Sequence, residues 1–222
     1  MAGCWEVASN HRVVGAILHT DMTTMAWSMG FRNLIFPGEF LPVAGMPFDM
    51  ARNVACMKAL EVGATHLFFL DSDVIVPRDG VMRLLARNVP VISGMYCRRS
   101  PPASVPVMMK PVGHWITQLP PAHQPVIEVD VVGAGCLLIH RDVLTNLPPQ
   151  REGHHWFDWR VDLPQLAQQG FPPLSEDFTF CMAVKEKLGI PILVDTSIAC
   201  KHVGLAQSTY GKFEPCDANN VS

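Results

Sequence analysis

The stretch Thr65 to Gly80, THLFFLDSDVIVPRDG, constrains this chain more than any other. Leu67-Phe68-Phe69-Leu70 is apolar on both alternations, so as a strand it must be buried on both faces. Such a strand needs a layer above and a layer below it, which helices flanking an open sheet supply. The run ends in Asp71 and Asp73, at the C-terminal edge where open α/β sheets place their ligands. If the strand stays extended, the two carboxylates stand roughly 7 Å apart. They repel each other unless a metal ion, an arginine or solvent lies between them.

The flanking chain fits that demand. A first strand is expected over 13–19, with Thr20-Asp21 capping a helix that runs to about Ile35. A short strand over 40–44 follows. Next comes a helix from Asp49 to Gly63, with Met50, Val54, Met57 and Leu60 or Glu61 on its helical period. Strand 67–71 precedes a helix over 78–87 and a buried strand over 91–96. Alternation of this kind predicts an α/β fold with a mostly parallel, Rossmann-like sheet. The rhythm then breaks. Residues 98–125 are proline-rich and read as an irregular excursion. Strands are expected over 126–132 and 136–139 around Gly133-Ala134-Gly135, then a helix over 142–147. A late helix starts at Ser175 and ends at Gly189, before short strands over 192–194 and 197–202. The tail from Gly204 is polar and reads as mobile. No internal repeat or linker divides the chain.

Composition narrows the class. The chain has 222 residues, enough for one substantial core, and its net charge of -3 gives no basic footprint for nucleic acid. Its apolar runs are far shorter than the ~20 residues of a transmembrane helix. The N-terminus shows no basic segment followed by an apolar stretch, so no signal peptide is expected. Cys4, Cys56, Cys97, Cys136, Cys181, Cys200 and Cys216 include no C-x-x-C pair. An odd number lying mostly in apolar runs predicts reduced core thiols and a cytoplasmic protein.

Three acidic or imidazole features stand out. Asp71 and Asp73 offer hard oxygen ligands of the kind Mg²⁺ or Mn²⁺ takes together with substrate phosphates; strand-end capping is the plainer reading. His202, in SIACKHVG, closes a strand and suits Mn²⁺ beside carboxylates, although a lone histidine is more often structural. Glu176 and Asp177 open the late helix, where the helix dipole favours them by about 0.3–1 kcal/mol each. A general base is the chemical alternative for either.

Taken in order, ARNVACMKALEVGATHLFFLDSDVIVP, PVISGMYCRRSPP, VGAGCLLIHRDVL and SEDFTFCMAVKEKLGIPILVDTSIACKHVG make the chain resemble glycosyltransferases of the GT-A fold, specifically the short family-2-like enzymes of bacteria and viruses. The resemblance spans about residues 50–204. It implies a glycosyltransferase domain over 1–204, with donor binding in about 1–97 and the acceptor and catalytic part in about 98–204; residues 205–222 are a lid or a disordered tail. It implies a nucleotide-sugar donor, UDP- or GDP-linked, and a hydroxyl acceptor on a glycan, lipid-linked or other molecule. Asp73 then holds the divalent metal with His202, Asp71 lies by the metal's waters or the ribose, and Asp177 is the base with Glu176 in reserve. Inversion is preferred because an acidic pair is present.

Further positions follow from the same resemblance and from their places in the chain. Thr20, Asp21 and Ser72 lie where a base or ribose would sit. Arg52 and Asn53 open a helix near the donor, or are simply an exposed helix start. Arg98 and Arg99 are placed to face phosphate, or to be solvated. Gly133 and Gly135 permit close approach of a sugar or form a bulge. Trp156 and Trp159, with His154 and His155, would form an acceptor platform or anchor a loop.

Two rivals stand beside this reading. FFLDSDVIV also looks like the nucleophile strand of haloacid-dehalogenase-type phosphatases, with Asp71 attacking phosphorus; that family carries the strand near its N-terminus. The other rival is a non-catalytic nucleotide-sugar-binding module.

Overall fold

The computed structural model describes residues 11–98, 106–111, 115–117, 124–150, 155–159, 175–203, 206–209 and 212–215. The chain opens with β1 (Val13–His19), α1 (Met25–Asn33), β2 (Gly38–Ala44), α2 (Phe48–Glu61) and β3 (His66–Asp71). Then come β4 (Val74–Ile75), α3 (Gly80–Ala86), β5 (Val91–Met95), β6 (Met108–Pro111) and β7 (Trp115–Thr117). The second half holds β8 (Val126–Val129), β9 (Val131–Val132), β10 (Cys136–His140), α4 (Arg141–Asn146) and α5 (Glu176–Leu188). It ends in β11 (Ile192–Ala199), β12 (Lys201–His202), β13 (Ala206–Thr209) and β14 (Lys212–Pro215).

A seven-stranded sheet in the order β2-β1-β3-β10-β5-β11-β8 organises the molecule. β2, β1 and β3 pair in parallel, and β11 pairs in parallel with β5. β10 is antiparallel to both β3 and β5, and β8 is antiparallel to β11. Five strands therefore point one way, and the two reversed ones come from the C-terminal part of the chain. This is the Rossmann-like α/β class the sequence predicts, mostly parallel and mixed in its C-terminal part.

β3 shows why. Leu67 and Phe69 face one core with Ala55, Leu137, Ile139 and Phe180, while Phe68 and Leu70 face the other with Trp27, Leu84 and Leu138. Each buried phenylalanine contributes about 1.5–3 kcal/mol, and neither ring would be covered without helices on both faces.

Several local expectations change. The first helix starts at Met25, where the Thr24 hydroxyl accepts the Trp27 N–H at 3.1 Å. Thr20-Asp21 is not its cap; Asp21 instead adopts a left-handed φ of 68°. In α2 the buried face is Ala51, Arg52, Ala55, Cys56 and Ala59, with Met50 and Met57 outside. Small residues let that helix sit close to the sheet, so the larger side chains mislead the helical count. Residues 98–125 include β6 and β7, and β6 also pairs with β9. The strands expected over 192–194 and 197–202 are one long strand with a register shift near Asp195, then β12. The tail supplies β13 and β14, which extend β12 and β4 into a second sheet.

Candidate active site

The C-terminal ends of β1, β3, β5 and β11 share an edge with the turn that enters β10. Asp71, Tyr96, Gly133-Ala134-Gly135 and His202 therefore meet, together with the start of α5. The two aspartates of D-x-D are separated in duty. Asp71 ends β3, and Arg52 Nη2 reaches both its carboxylate oxygens, at 3.1 and 3.3 Å. Asp73 lies in the turn beyond. β4 follows it and pairs with β12, setting Val74 opposite His202.

That pairing places His202 Nε2 3.3 Å from Asp73 Oδ2. His202 Nδ1 is 2.8 Å from the Cys97 carbonyl oxygen. A carbonyl only accepts, so Nδ1 carries the proton and Nε2 presents its lone pair toward the carboxylate, unless it is protonated too. With Nε2 protonated the two side chains form an ion pair; with its lone pair exposed, two acceptors at this distance call for a positive species between them. A backbone carbonyl fixing the far nitrogen is the usual support for a metal-binding imidazole. Asp73 and His202 thus fit a divalent cation that completes its shell with water and phosphate oxygens. Among the described residues no three His, Cys, Asp or Glu side chains gather round one point, and Asp71 is with Arg52 instead.

Arg52 is the charge centre of the site. It is 2 % exposed, and its Nε meets Glu176 Oε1 at 3.2 Å. Its Cζ lies 5.1 Å from the Phe69 ring centroid and 5.9 Å from that of Phe157, and Nη1 has no hydrogen-bond partner among the described residues. Burial would push the guanidinium down, but Asp71, Glu176 and Asp177 more than offset that and hold it above its ordinary range. Glu176, buried and next to Asp177, is pushed up to about 7 despite Arg52. Asp177 is half-buried and raised by burial, although the Ser175 hydroxyl, Arg52 and the Phe178 N–H oppose the shift. Ser175 Oγ donates to Asp177 Oδ1, the Phe178 N–H reaches the same oxygen at 2.9 Å, and the Ala134 N–H reaches Oδ2 at 3.3 Å.

The remaining expected residues fall into two groups. Thr20 and Asp21 line a cavity of about 390 Å³ at the ends of β1 and β2, with His19, Val43, Met46 and Phe48. The Asp21 N–H donates to His19 Nδ1 at 3.1 Å. The Ser72 N–H donates to the Leu18 carbonyl at 3.2 Å, close to that cavity. Arg98 is exposed just past the Cys97–Pro106 bridge. Trp159 is 42 % exposed.

The others are turned inward. Arg52 is no exposed helix start, and the Asn53 amide is occupied by the backbone. Asn53 Nδ2 donates to the Asp49 and Phe157 carbonyls, and Oδ1 accepts the Trp156 and Phe157 N–H groups. Trp156 is buried, and its Nε1 donates to the Leu144 carbonyl at 2.8 Å, so it anchors a loop. Arg99 and His154 lie outside the described residues; His155 is exposed beside Trp156. A Cβ on Gly133 would stand 2.1 Å from the Tyr96 hydroxyl, and one on Gly135 2.9 Å from Val74 and 3.1 Å from Asp71 Oδ2. Protein atoms fill the space both glycines leave. Tyr96 itself went unmarked in the sequence, although its place at the end of a buried strand was the available signal.

Fold and site together define an α/β protein with a carboxylate-rich edge organised by one buried arginine. No protein-family profile and no curated protein matches its sequence. Solved structures do match. A197 from STIV is 16% identical with a TM-score of 0.65, covering 93% of this chain and 94% of that one, a likeness of fold. Apo UDP-glucose pyrophosphorylase aligns at 11% identity and a TM-score of 0.39, over 87% of this chain and 76% of that one. Glucosyl-3-phosphoglycerate synthase from Mycobacterium tuberculosis, in complex with Mn²⁺, UDP-glucose and phosphoglyceric acid, aligns at 12% and 0.38, over 96% and 92%. No helix among the described residues is long and apolar enough to cross a membrane.

Proposed function

We propose that this chain is a metal-dependent glycosyltransferase, moving a sugar from a UDP- or GDP-linked donor to an acceptor hydroxyl with inversion. The observation that carries the reading is the His202 imidazole, anchored through Nδ1 on the Cys97 carbonyl and aimed through Nε2 at Asp73. Those two side chains would hold Mn²⁺ or Mg²⁺. Bound there, the cation offsets charge on the departing nucleoside diphosphate.

The chain's own residues supply the rest. Thr20 and Asp21 border the cavity suited to the nucleoside, Ser72 is bonded to Leu18 of its wall, and the left-handed Asp21 is the kind of backbone outlier that clusters at binding sites. Arg98, with Arg99, is placed for phosphate oxygens. Asp177 is the base rather than Glu176, whose Oε1 is tied to Arg52. It removes the acceptor's hydroxyl proton as that oxygen attacks the anomeric carbon and the bond to the diphosphate breaks. Arg52 positions Asp71 and Glu176 behind it. Trp159 offers an exposed indole to the acceptor. The phosphatase alternative asks Asp71 to attack phosphorus, but Arg52 holds both its oxygens. Free buried Cys56, Cys97, Cys136, Cys181 and Cys200 agree with a cytoplasmic setting.

One observation favours the non-catalytic binding module. Three donors already reach Asp177, which weakens it as a base. A panel of nucleotide sugars with and without Mn²⁺ separates the readings. The transferase raises its Tm with one donor in the presence of Mn²⁺ and slowly releases nucleoside diphosphate, and Asp73→Ala loses both. A binding module shows the Tm shift without release. If no nucleotide stabilises the protein, the donor assignment fails.

A further inference from the structure

Tyr96 follows β5 directly and is 7 % exposed. Its phenol oxygen accepts the Gly135 N–H at 3.0 Å. Its ring stands edge-on to His202, with centroids 5.5 Å apart and planes at 88°. The turn it grips serves both sides of the site. The Ala134 N–H reaches Asp177 Oδ2, and the Gly135 carbonyl accepts the Asp71 N–H at 3.1 Å. Room for the phenol exists only because residue 133 has no side chain: a Cβ there would lie 2.1 Å from the hydroxyl and 3.1 Å from Cζ. The G-A-G turn and the tyrosine are therefore one fitted unit. Burial, Asp71 and Asp177 hold the phenol well above its ordinary range, so it stays a hydroxyl.

We propose that Tyr96 is a positioning residue for the transfer step: its phenol oxygen fixes the Gly133–Gly135 turn, and the Ala134 N–H of that turn sets the Asp177 carboxylate. The inference rests on the glycosyltransferase reading above. It predicts a split between chemistry and binding. In Tyr96→Phe the ring still packs on His202, but the Gly135 N–H loses its acceptor and the turn relaxes. A small misplacement of a reacting group can cost about 100-fold in rate, so kcat falls by roughly 10- to 100-fold. The donor KM and the Mn²⁺ half-saturation stay within about two-fold.

The second measurement is thermal and needs no turnover. Gly133→Ala drives a methyl group onto the hydroxyl and lowers Tm by about 5 °C, a shift of about 1.2–2.5 kcal/mol for a chain of this size. In the Tyr96→Phe background, with the hydroxyl gone, the same change costs about half as much. Full kcat in Tyr96→Phe, measured against an active wild type, overturns this inference alone. So does a Gly133→Ala penalty that is identical in both backgrounds. A wild type inactive with every donor overturns the transferase reading, and this inference with it; the wild-type control tells the cases apart.

Discussion

The two ends of β3 handle crowded titratable groups in opposite ways. At its C-terminal end Asp71, Glu176 and Asp177 converge, and a buried arginine is placed among them. At its N-terminal end His66 is wedged between His11 and His140, with ring centroids 5.0 and 4.9 Å away. Its Nδ1 meets the Thr65 hydroxyl at 3.0 Å. Burial and the two neighbouring imidazoles push His66 down to about 4, so His66 is kept neutral. One end sets an arginine against its carboxyl groups, and at the other His66 sheds its charge by deprotonation. The matched end is the one where chemistry is proposed.

Breaking the match is expected to have the largest effect. Arg52→Met leaves three carboxylates facing one another in a buried site. Loss of one partner from a buried ion pair costs about 3–5 kcal/mol, so the urea midpoint should fall sharply and nucleotide release should vanish. A midpoint near that of the wild type would show that the carboxylates tolerate one another without Arg52. Asp177→Asn comes next and tests the chemistry alone. General-base assistance accounts for roughly 10²- to 10⁴-fold in rate, so turnover should drop by that order while the donor-induced Tm shift persists. Unchanged turnover would move the base role elsewhere.

Much of this contrast is legible in the sequence, but unevenly. LFFLDSD announces a strand buried on both faces and ending in paired acids, and β3 obeys it because no other arrangement covers Phe68 and Phe69. Ser175 and Gly189 bound α5 as expected, the glycine at a φ of 66°. What stays hidden is long-range. Arg52 reads as a helix-start residue until α5, 124 residues later, brings Glu176 to it. Asn53 reads as a polar surface group until the Trp156–Phe157 backbone uses its whole amide. Gly133 reads as room for a ligand, and a tyrosine just past β5 takes that room. In each case local chemistry shows what a side chain can do, and the partner is chosen by sheet order.

The smaller predictions sharpen the contrast through pH. Glu176 rises from 4.5 to about 7 on folding, so the folded state holds more protons than the unfolded one between those values. Stability then falls as pH rises through that window. Glu176→Gln removes the term: variant and wild type should differ little in their offset near pH 4, with the variant gaining about 3 kcal/mol relative to the wild type by pH 8. Urea titrations at four or five pH values read this directly, and parallel curves would mean that Arg52 keeps Glu176 ionised throughout.

His66 carries the opposite sign. Its pKa drops from 6.5 to about 4 on folding, so the unfolded chain binds more protons between pH 6.5 and 4. Its stability term is complete above pH 6.5 and is lost as pH falls toward 4. In His66→Gln the wild-type loss across that window should shrink by about 1–2 kcal/mol, less than a full conversion of the shift because His11 and His140 repack around the change. The two clusters then pull the wild-type curve in opposite directions between pH 4.5 and 6.5, and the native protein should look nearly flat there. Each single variant should unmask the slope of the other end: Glu176→Gln a rise with pH, His66→Gln a fall. If both variants stay flat, neither cluster titrates on folding, and burial at the two ends of β3 does not separate charge in the way their neighbours imply.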